Sequence, residues 1–218
     1  MKQLRIVFLG AEQVGKTSTI KQFLYGSFQE MTEATLGECY NETVCLPNGI
    51  CQQIQIIDTA GSDEFPGMTD LNIRNGDYFV VVYAIEDRNT LDHALTLCQK
   101  IRHIKGKDFN RIVLVGNKID LNSSRQVTTE EVLQKSIADK NFWFTETSAK
   151  LNCNIRCLFQ IILRNYVKSD DLFRRNENTK VTKSKNMNTK VIRSKSRKTS
   201  IQNLVYSLQA KGEWKRIV

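Results

Sequence analysis

The sequence has little proline and no long apolar segment. Two prolines among 218 residues leave few interruptions for helices and strands. No apolar run reaches the roughly eighteen residues that a membrane-spanning helix needs. The N-terminal segment lacks a signal-peptide cleavage pattern, and we interpret it as a first strand. With 40% hydrophobic and 25% charged residues, the composition is typical of one globular, cytoplasmic domain of ordinary size.

Metal-binding cysteine patterns are missing as well. The six cysteines form no CxxC pair and have no histidine at zinc-ligand spacing. We therefore expect ordinary reduced thiols, as in proteins of a reducing compartment. They are Cys39, Cys45, Cys51, Cys98, Cys153 and Cys157. No cysteine follows Cys157, so we expect no prenylation box and no lipid anchor from one.

An excess of positive charge is absent from most of the chain, although the formal net charge is +9. Residues 1–163 contain 17 Lys and Arg against 19 Asp and Glu, a net charge of −2. Residues 164–218 contain 15 against 4, a net charge of +11. The excess charge therefore belongs to the tail, which argues against a nucleic-acid-binding domain and for a nearly neutral globular body.

Five apolar segments of the body predict β-strands. Several are apolar at every position, which is typical of strands buried on both faces of a parallel sheet. Between them, apolar residues at helical spacing predict helices around 19–25, 91–101 and 155–166. A turn at Pro47-Asn48-Gly49 predicts one antiparallel hairpin, so the pattern indicates a doubly wound α/β domain. The predicted strands are 4–10, 51–58, 78–85, 111–117 and 142–146.

A glycine-rich motif follows the first predicted strand. Residues 10–17 read GAEQVGKT and match G-x-x-x-x-G-K-[ST] between a strand and a helix, as the motif requires. The backbone N–H groups of such a loop surround phosphates at a helix N-terminus. Lys16 is expected to reach the β- and γ-phosphate oxygens, and Thr17 to offer a hydroxyl to Mg²⁺. The expected nucleotide contacts are Gly10, Glu12, Gln13, Val14, Gly15, Lys16, Thr17 and Ser18.

A second motif, DTAG, begins at the end of the strand 51–58. Asp58 lies where parallel α/β sheets present their ligands, and its carboxylate can hold Mg²⁺ through water. Gly61 can offer a backbone N–H to a γ-phosphate. An aspartate at a strand end is often only a helix cap, so this motif is weak by itself.

Two further motifs predict recognition of guanine. In NKID, residues 117–120, an aspartate can accept two hydrogen bonds from guanine, and adenine has no matching donors. A buried polar mismatch costs about 1 to 3 kcal/mol per unpaired group. In TSAK, residues 147–150, the backbone N–H of Ala149 can reach the guanine O6. The residues expected around the base are Asn117, Lys118, Asp120, Ser148, Ala149 and Lys150.

These four motifs in this order, with Thr35 before the predicted hairpin, resemble the Ras superfamily of small GTPases. The resemblance covers residues 2 to about 167. It implies a P-loop G domain with a mostly parallel six-stranded sheet, one antiparallel edge and helices on both faces. It also implies that GTP or GDP binds with Mg²⁺, held by Thr17, Thr35 and, through water, Asp58.

The resemblance implies two switch segments, residues 28–40 and 59–75. Phe28 stands where the family stacks an aromatic ring on guanine, although an apolar residue there could instead fill the core. The second switch is similar to the Di-Ras and dexamethasone-induced Ras branch. That similarity rests on Gly61, Ser62, Phe65, Pro66 and Met68. By analogy we expect a monomer whose partners are an effector, an exchange factor and activating proteins.

Two residues depart from the family at the catalytic site. Family members that hydrolyse GTP usually have a glutamine after DTAG that orients the attacking water, and here that position is the shorter Ser62. Glu12 occupies a position that is glycine in the Ras group, where a carboxylate should crowd an arginine finger. Lys16, Thr35 and Gly61 remain as expected catalytic residues beside Ser62, so hydrolysis is expected to be slow.

The sequence favours a signalling switch that hydrolyses GTP slowly. The alternative is a GTP-binding interaction protein without useful hydrolysis, controlled by exchange, expression or tail modification. An ATP-dependent P-loop kinase is less consistent with Asp120 and with the lack of an arginine-rich lid. Asp63 or Glu64 could also replace the missing glutamine.

A basic tail follows the G domain, which we expect to span residues 1–167. Residues 168–218 are mostly polar and basic and are expected to be largely disordered, with a possible amphipathic helix near 200–210. This tail could contact the anionic inner face of the plasma membrane reversibly, bind calmodulin, or bind nothing. Its apolar stripe is Ile201, Leu204, Val205 and Leu208, and its basic cluster is Arg193, Lys195, Arg197 and Lys198.

If the tail contacts membranes electrostatically, the protein should sediment with anionic vesicles at low salt and dissociate at high salt. The reason is that each basic residue contributes only about 1 kcal/mol near an anionic surface, and salt screens that attraction. Vesicles of a neutral lipid are the control. Absent binding, or binding that salt does not change, would contradict the electrostatic interpretation.

Overall fold

The computed structural model describes residues 3–30, 35, 37–45, 51–61, 66–139 and 142–166. The predicted turn at Pro47-Asn48-Gly49, Ser62 and the whole basic tail lie outside these residues. No helix of the described segments is long and apolar enough to cross a membrane.

The structure contains six strands: β1 Leu4–Leu9, β2 Glu38–Cys45, β3 Cys51–Asp58, β4 Tyr78–Ala84, β5 Ile112–Asn117 and β6 Trp143–Glu146. They form one sheet in the order β2-β3-β1-β4-β5-β6. All neighbouring pairs are parallel except β2 and β3, which are antiparallel. This confirms the predicted six-stranded, mostly parallel sheet with one antiparallel edge.

The central strands are apolar on both sides because helices cover both faces of the sheet. Every residue of β4 and β5 is buried, which only a two-sided cover can achieve. The helices are α1 Lys16–Tyr25, α2 Pro66–Asn75, α3 Arg88–Lys105, α4 Thr129–Asp139 and α5, described over residues 155–166. In β1, Ile6 and Phe8 pack into one hydrophobic cluster with α1 and α5, whereas Val7 and Leu9 pack into the other with α2, α3 and α4.

Apolar spacing predicted three of these helices but not α2 or α4. The predicted α1 began at Thr19, whereas the helix begins three residues earlier at Lys16, inside the glycine-rich motif. Helix α2 is only weakly amphipathic, with Ile73 as its buried apolar residue. A 3-10 turn, Ile119–Ser124, was also not predicted, because none of its residues is buried and no apolar stripe marks it.

The β2–β3 hairpin corrects the expectation for the cysteines. Register places Cys45 opposite Cys51, and the two sulfur atoms form a disulfide. The expectation of six reduced thiols was therefore wrong for these two residues, because the strand pairing that aligns them is not visible in their spacing. The remaining four, Cys39, Cys98, Cys153 and Cys157, take part in no disulfide.

Candidate nucleotide-binding site

The four sequence motifs meet at one edge of the sheet. The glycine-rich loop follows β1, Asp58 ends β3, Asn117 ends β5, and Thr147 follows β6. Because these four strands are parallel to one another, their carboxyl ends lie at the same edge, where α/β sheets bind ligands. A cavity of about 400 Å³ between α1, β2 and α5 contains none of the predicted site residues.

Gly10 allows the loop after β1 to pass close to the neighbouring strand. Its φ is 140°, and a Cβ there would lie 2.1 Å from the carbonyl oxygen of Val82. The loop then continues through the exposed Glu12 and Gln13 to Gly15, which precedes the first residue of α1. Gly15 makes no side-chain cap, so no side chain of this N-cap residue occupies the backbone N–H groups at the helix N-terminus, where anions commonly bind.

Lys16 lies inside this loop. Its ammonium group donates hydrogen bonds to the carbonyl oxygens of Gly10, at 2.9 Å, and Ala11, at 2.8 Å. Burial lowers the pKa of Lys16 to about 8, although the charges of Asp58 and Glu12 act in the opposite direction. The side chain is thus held in a pocket that favours additional negative charge nearby.

Thr17, Thr35 and Asp58 converge beside the loop. The Thr17 hydroxyl donates to Asp58 Oδ2 at 2.6 Å and lies 2.9 Å from the Thr35 hydroxyl. Asp58 is fully buried, and its Oδ1 has no hydrogen-bond partner among the described residues. Burial raises the pKa of Asp58, while the hydrogen bond from Thr17 and the charge of Lys16 lower it. An unpaired buried carboxylate oxygen is costly unless a cation or donor satisfies it.

Gly61 brings the DTAG segment against the glycine-rich loop. A Cβ at Gly61 would lie 2.5 Å from the backbone nitrogen of Glu12 and 2.7 Å from the carbonyl carbon of Ala11. Only a residue without a side chain permits this approach. The two loops therefore face the same space, with the Gly61 backbone at their contact.

Asn117 joins the glycine-rich loop to the two loops of the predicted guanine site. Its side-chain N–H donates to the carbonyl oxygen of Val14 at 2.9 Å. Its Oδ1 accepts from the Thr147 hydroxyl at 3.1 Å and from the Ala149 N–H at 3.3 Å. The Ala149 N–H, which was expected to reach a base, donates to Asn117 in this structure.

Asp120 and Lys150 are held at the same end of the sheet. The Ser148 hydroxyl donates to Asp120 Oδ1 at 2.5 Å and accepts from the Leu151 N–H at 3.0 Å. Lys150 donates to Glu30 at 2.7 Å, a contact between the last motif and the first switch segment. Phe28 is half-buried and packs against neither hydrophobic cluster of the described chain, so it does not fill the core.

Most of the predicted site residues are thus brought together, with three qualifications. Val14 is buried in the core, so only its backbone faces the loop. Ser18 is half-buried on α1. Ser62 lies outside the described residues. Three ion pairs were not predicted, because no sequence motif indicates them. They are Lys118 with Glu86, Lys150 with Glu30 and Arg125 with Glu146.

Comparison with known sequences agrees with this geometry. Residues 5–168 match the Ras family. The chain belongs to the Ras family of small GTPases. It is 39% identical over 163 residues to GTP-binding protein Di-Ras2 of Macaca fascicularis, covering 73% of this chain and 79% of that protein. It is 33% identical over 164 residues to Ras-like protein 1 of Saccharomyces cerevisiae, covering 75% of this chain and 52% of that protein.

The relatives also support the branch expected for this Ras-family chain. Di-Ras2 of Mus musculus is 38% identical over 163 residues, again covering 73% of this chain and 79% of the relative. The small GTPase is therefore related to Di-Ras, as the second switch predicted. Within the described residues, no group of three or more His, Cys, Asp or Glu side chains could hold a metal.

Replacing Asn117 with alanine should destabilise this Ras-family domain and loosen its site. The change leaves the Val14 carbonyl, the Thr147 hydroxyl and the Ala149 N–H without their partner. Each unsatisfied buried group costs about 1 to 3 kcal/mol, and the structure around the site should relax enough to recover part of that cost. We therefore expect the free energy of unfolding, measured with urea, to fall by about 2 to 4 kcal/mol. Asn110→Ala, at an exposed position, is the control. Equal stability of the two variants would contradict the joining role.

Proposed function

We propose that this small GTPase is a signalling switch that binds GTP and GDP together with Mg²⁺. The observation that carries the proposal is the convergence of Thr17, Thr35 and the unpaired Asp58 Oδ1 beside the glycine-rich loop. These residues come from α1, a switch segment and β3, and they are far apart in sequence. A nucleotide bound across these residues would make the conformation of the switch segments depend on which phosphates it carries.

The glycine-rich loop would bind the phosphates. The N-terminus of α1 and the loop backbone offer N–H groups to anions. Lys16 would exchange one of its two carbonyl contacts for a phosphate oxygen. Burial lowers its pKa to about 8, and nearby negative charge would favour the ammonium form.

The cation site fits Mg²⁺ by its chemistry. Oxygen ligands are those that Mg²⁺ prefers, and it usually takes only one or two carboxylates, with water and phosphate completing the shell. Thr17 and Thr35 would supply hydroxyl oxygens, and the free Asp58 oxygen would bind through water. When bound, Mg²⁺ neutralises charge on the phosphate oxygens.

Guanine would bind between the two loops that Asn117 connects. Asp120 is kept in place by Ser148, which leaves its carboxylate as an acceptor for the donors of guanine. Phe28 is available to stack on the base because it does not pack in the core. Lys118, Ala149 and Lys150 would complete the base and ribose surroundings.

Switching would follow from two contacts at the site. Thr35 contacts Thr17 through one hydroxyl pair, and Gly61 contacts the loop through its backbone. A γ-phosphate bound beside these contacts would hold both segments, and loss of that phosphate would release them. An effector, an exchange factor and activating proteins would read the two states.

Hydrolysis is proposed to be slow. Ser62 cannot orient water as a glutamine does, and Glu12 places a carboxylate beside the phosphates. The second candidate is a hydrolysis-deficient GTP-binding protein that stays mostly GTP-loaded. The exposed Glu12 carboxylate favours it, since that group would crowd an arginine finger and could pair with it before it reaches the phosphates.

Further proposals concern the remainder of the chain. The G domain would end near residue 167, and the basic tail would give a cytoplasmic monomer reversible contact with the inner face of the plasma membrane. Calmodulin is the alternative partner of the tail. The net charge of +11 after residue 163 supports both.

Purified full-length protein should carry guanine nucleotide and release it faster without Mg²⁺. We expect GTP, but not ATP, to displace a fluorescent GDP analogue, and EDTA to speed release about tenfold or more, because removing the cation removes a charge-neutralising contact. Asp58→Asn should lose most of this EDTA response, whereas Asp92→Asn, on the exposed face of α3, should keep it. Equal displacement by ATP would contradict the proposal.

Single-turnover hydrolysis should separate the two candidate functions. We expect a rate below the roughly 3 to 5 × 10⁻⁴ per second of an unaided Ras-type site, and a faster rate in Ser62→Gln, because the amide can orient water. Equal rates in the two proteins would refute the role assigned to position 62.

The nucleotide bound to freshly purified protein also separates the two candidates. Mostly GTP favours the hydrolysis-deficient candidate, and mostly GDP favours the slow GTPase. Asp63→Asn and Glu64→Gln test whether either acid replaces the glutamine.

A further inference from the structure

An ion pair next to the predicted guanine site has no role in the function proposed above. The Lys118 ammonium donates to Glu86 Oε1 at 2.6 Å. The two side chains are 29% and 21% exposed, so water screens this pair less than it screens the surface pairs. Glu86 belongs to none of the nucleotide-binding motifs, and it is contributed by the turn between β4 and α3.

The backbone on the Glu86 side of the pair is fixed. The Asp87 N–H donates to the Ala84 carbonyl at 3.1 Å and closes the turn. On one side of Glu86, the Ile85 N–H donates to the Asn117 carbonyl at 3.1 Å. On the other side, the Asp87 carboxylate caps α3. The turn can therefore position a carboxylate without moving itself.

The backbone of Lys118 is fixed by its own hydrogen bond, whereas its side chain depends on the contact with Glu86. Its φ is 68°, and its carbonyl accepts from the Leu121 N–H at 2.8 Å at the start of the 3-10 turn that contains Asp120. The side chain is a flexible four-carbon stem with a compact charge. Glu86 is the group that restrains the end of that stem.

The pair is not optimised for stability. Glu86 Oε2 is buried and has no hydrogen-bond partner in the described part of the chain. A buried carboxylate oxygen without a partner weakens the net contribution of an ion pair to folding. Such unsatisfied groups in a folded protein call for a functional explanation.

We propose that Glu86 is a positioning residue that orders Lys118 for the bound guanine nucleotide and thereby slows nucleotide release. The inference rests on the proposed function, since it requires a nucleotide between Asn117 and Asp120. Ordering a binding group in advance lowers the entropic cost of binding. Without Glu86, Lys118 would have to be ordered at each binding event, which weakens binding. Affinity differences between variants of one site lie mostly in the dissociation rate, so release would be faster.

The test is a double-mutant cycle on nucleotide release. The full chain is loaded with a fluorescent GDP analogue in Mg²⁺, and release is followed after addition of excess GDP. Glu86→Gln keeps the shape and removes the charge, and we expect about fivefold to tenfold faster release. In a Lys118→Met background the same change should alter release less than about twofold, because Glu86 acts through Lys118.

Glu131→Gln is the matched control. Glu131 also pairs with basic side chains, Arg88 and Lys135, but it lies on α4, away from the site. The nucleotide release rate of the Glu131→Gln variant should stay within about twofold of the rate of the protein without substitutions.

Unchanged release in Glu86→Gln would overturn this inference and leave the proposed function intact. Equal acceleration in both backgrounds would also overturn it, since Glu86 would then act without Lys118. If Glu86→Gln does not fold, Glu86→Asp decides: its shorter carboxylate should give intermediate release, and an unchanged rate would overturn the inference. If the unchanged protein binds no guanine nucleotide, the proposed function itself fails, and this inference fails with it.

Discussion

The site depends on one buried amide. Asn117 donates to the Val14 carbonyl and accepts from Thr147 and Ala149, so a single side chain connects the loops after β1, β5 and β6. Because it is almost fully buried, these bonds cannot be exchanged for water without cost. The relative position of the phosphate loop and the guanine loops is therefore set by hydrogen bonds inside the protein.

A second group of contacts, between Thr17, Thr35 and Asp58, links the proposed switch segments to the site. Thr35 reaches Thr17 through one hydroxyl pair, and Asp58 retains a buried oxygen without a partner. The Asn117 connection is internally satisfied, whereas this cluster is not. In the proposed function, a phosphate-bound cation would therefore act on the switch segments and leave the base loops in place. Glu86 is proposed to order Lys118 beside those base loops.

Much of the fold could be predicted because burial on both faces leaves a signature in each strand. Strands β4 and β5 are apolar at nearly every position, and α3 and α5 have regular apolar spacing. Helices α2 and α4 and the 3-10 turn lack such a signature, and their formation depends on contacts with neighbouring elements. The Cys45–Cys51 disulfide was missed for the same reason, since strand register brings the two residues together.

The sequence by itself determined the phosphate-binding and guanine-binding motifs, their order and hence the Ras family. Those motifs depend on local backbone chemistry, such as the left-handed conformation of Gly10 and Gly15, and local chemistry is readable from residue type. Only the tertiary structure decided which side chains meet: Asn117 with Val14, Thr17 with Asp58, and Lys118 with Glu86. These contacts join residues 32 to 103 positions apart, and chain folding rather than local preference sets such distances.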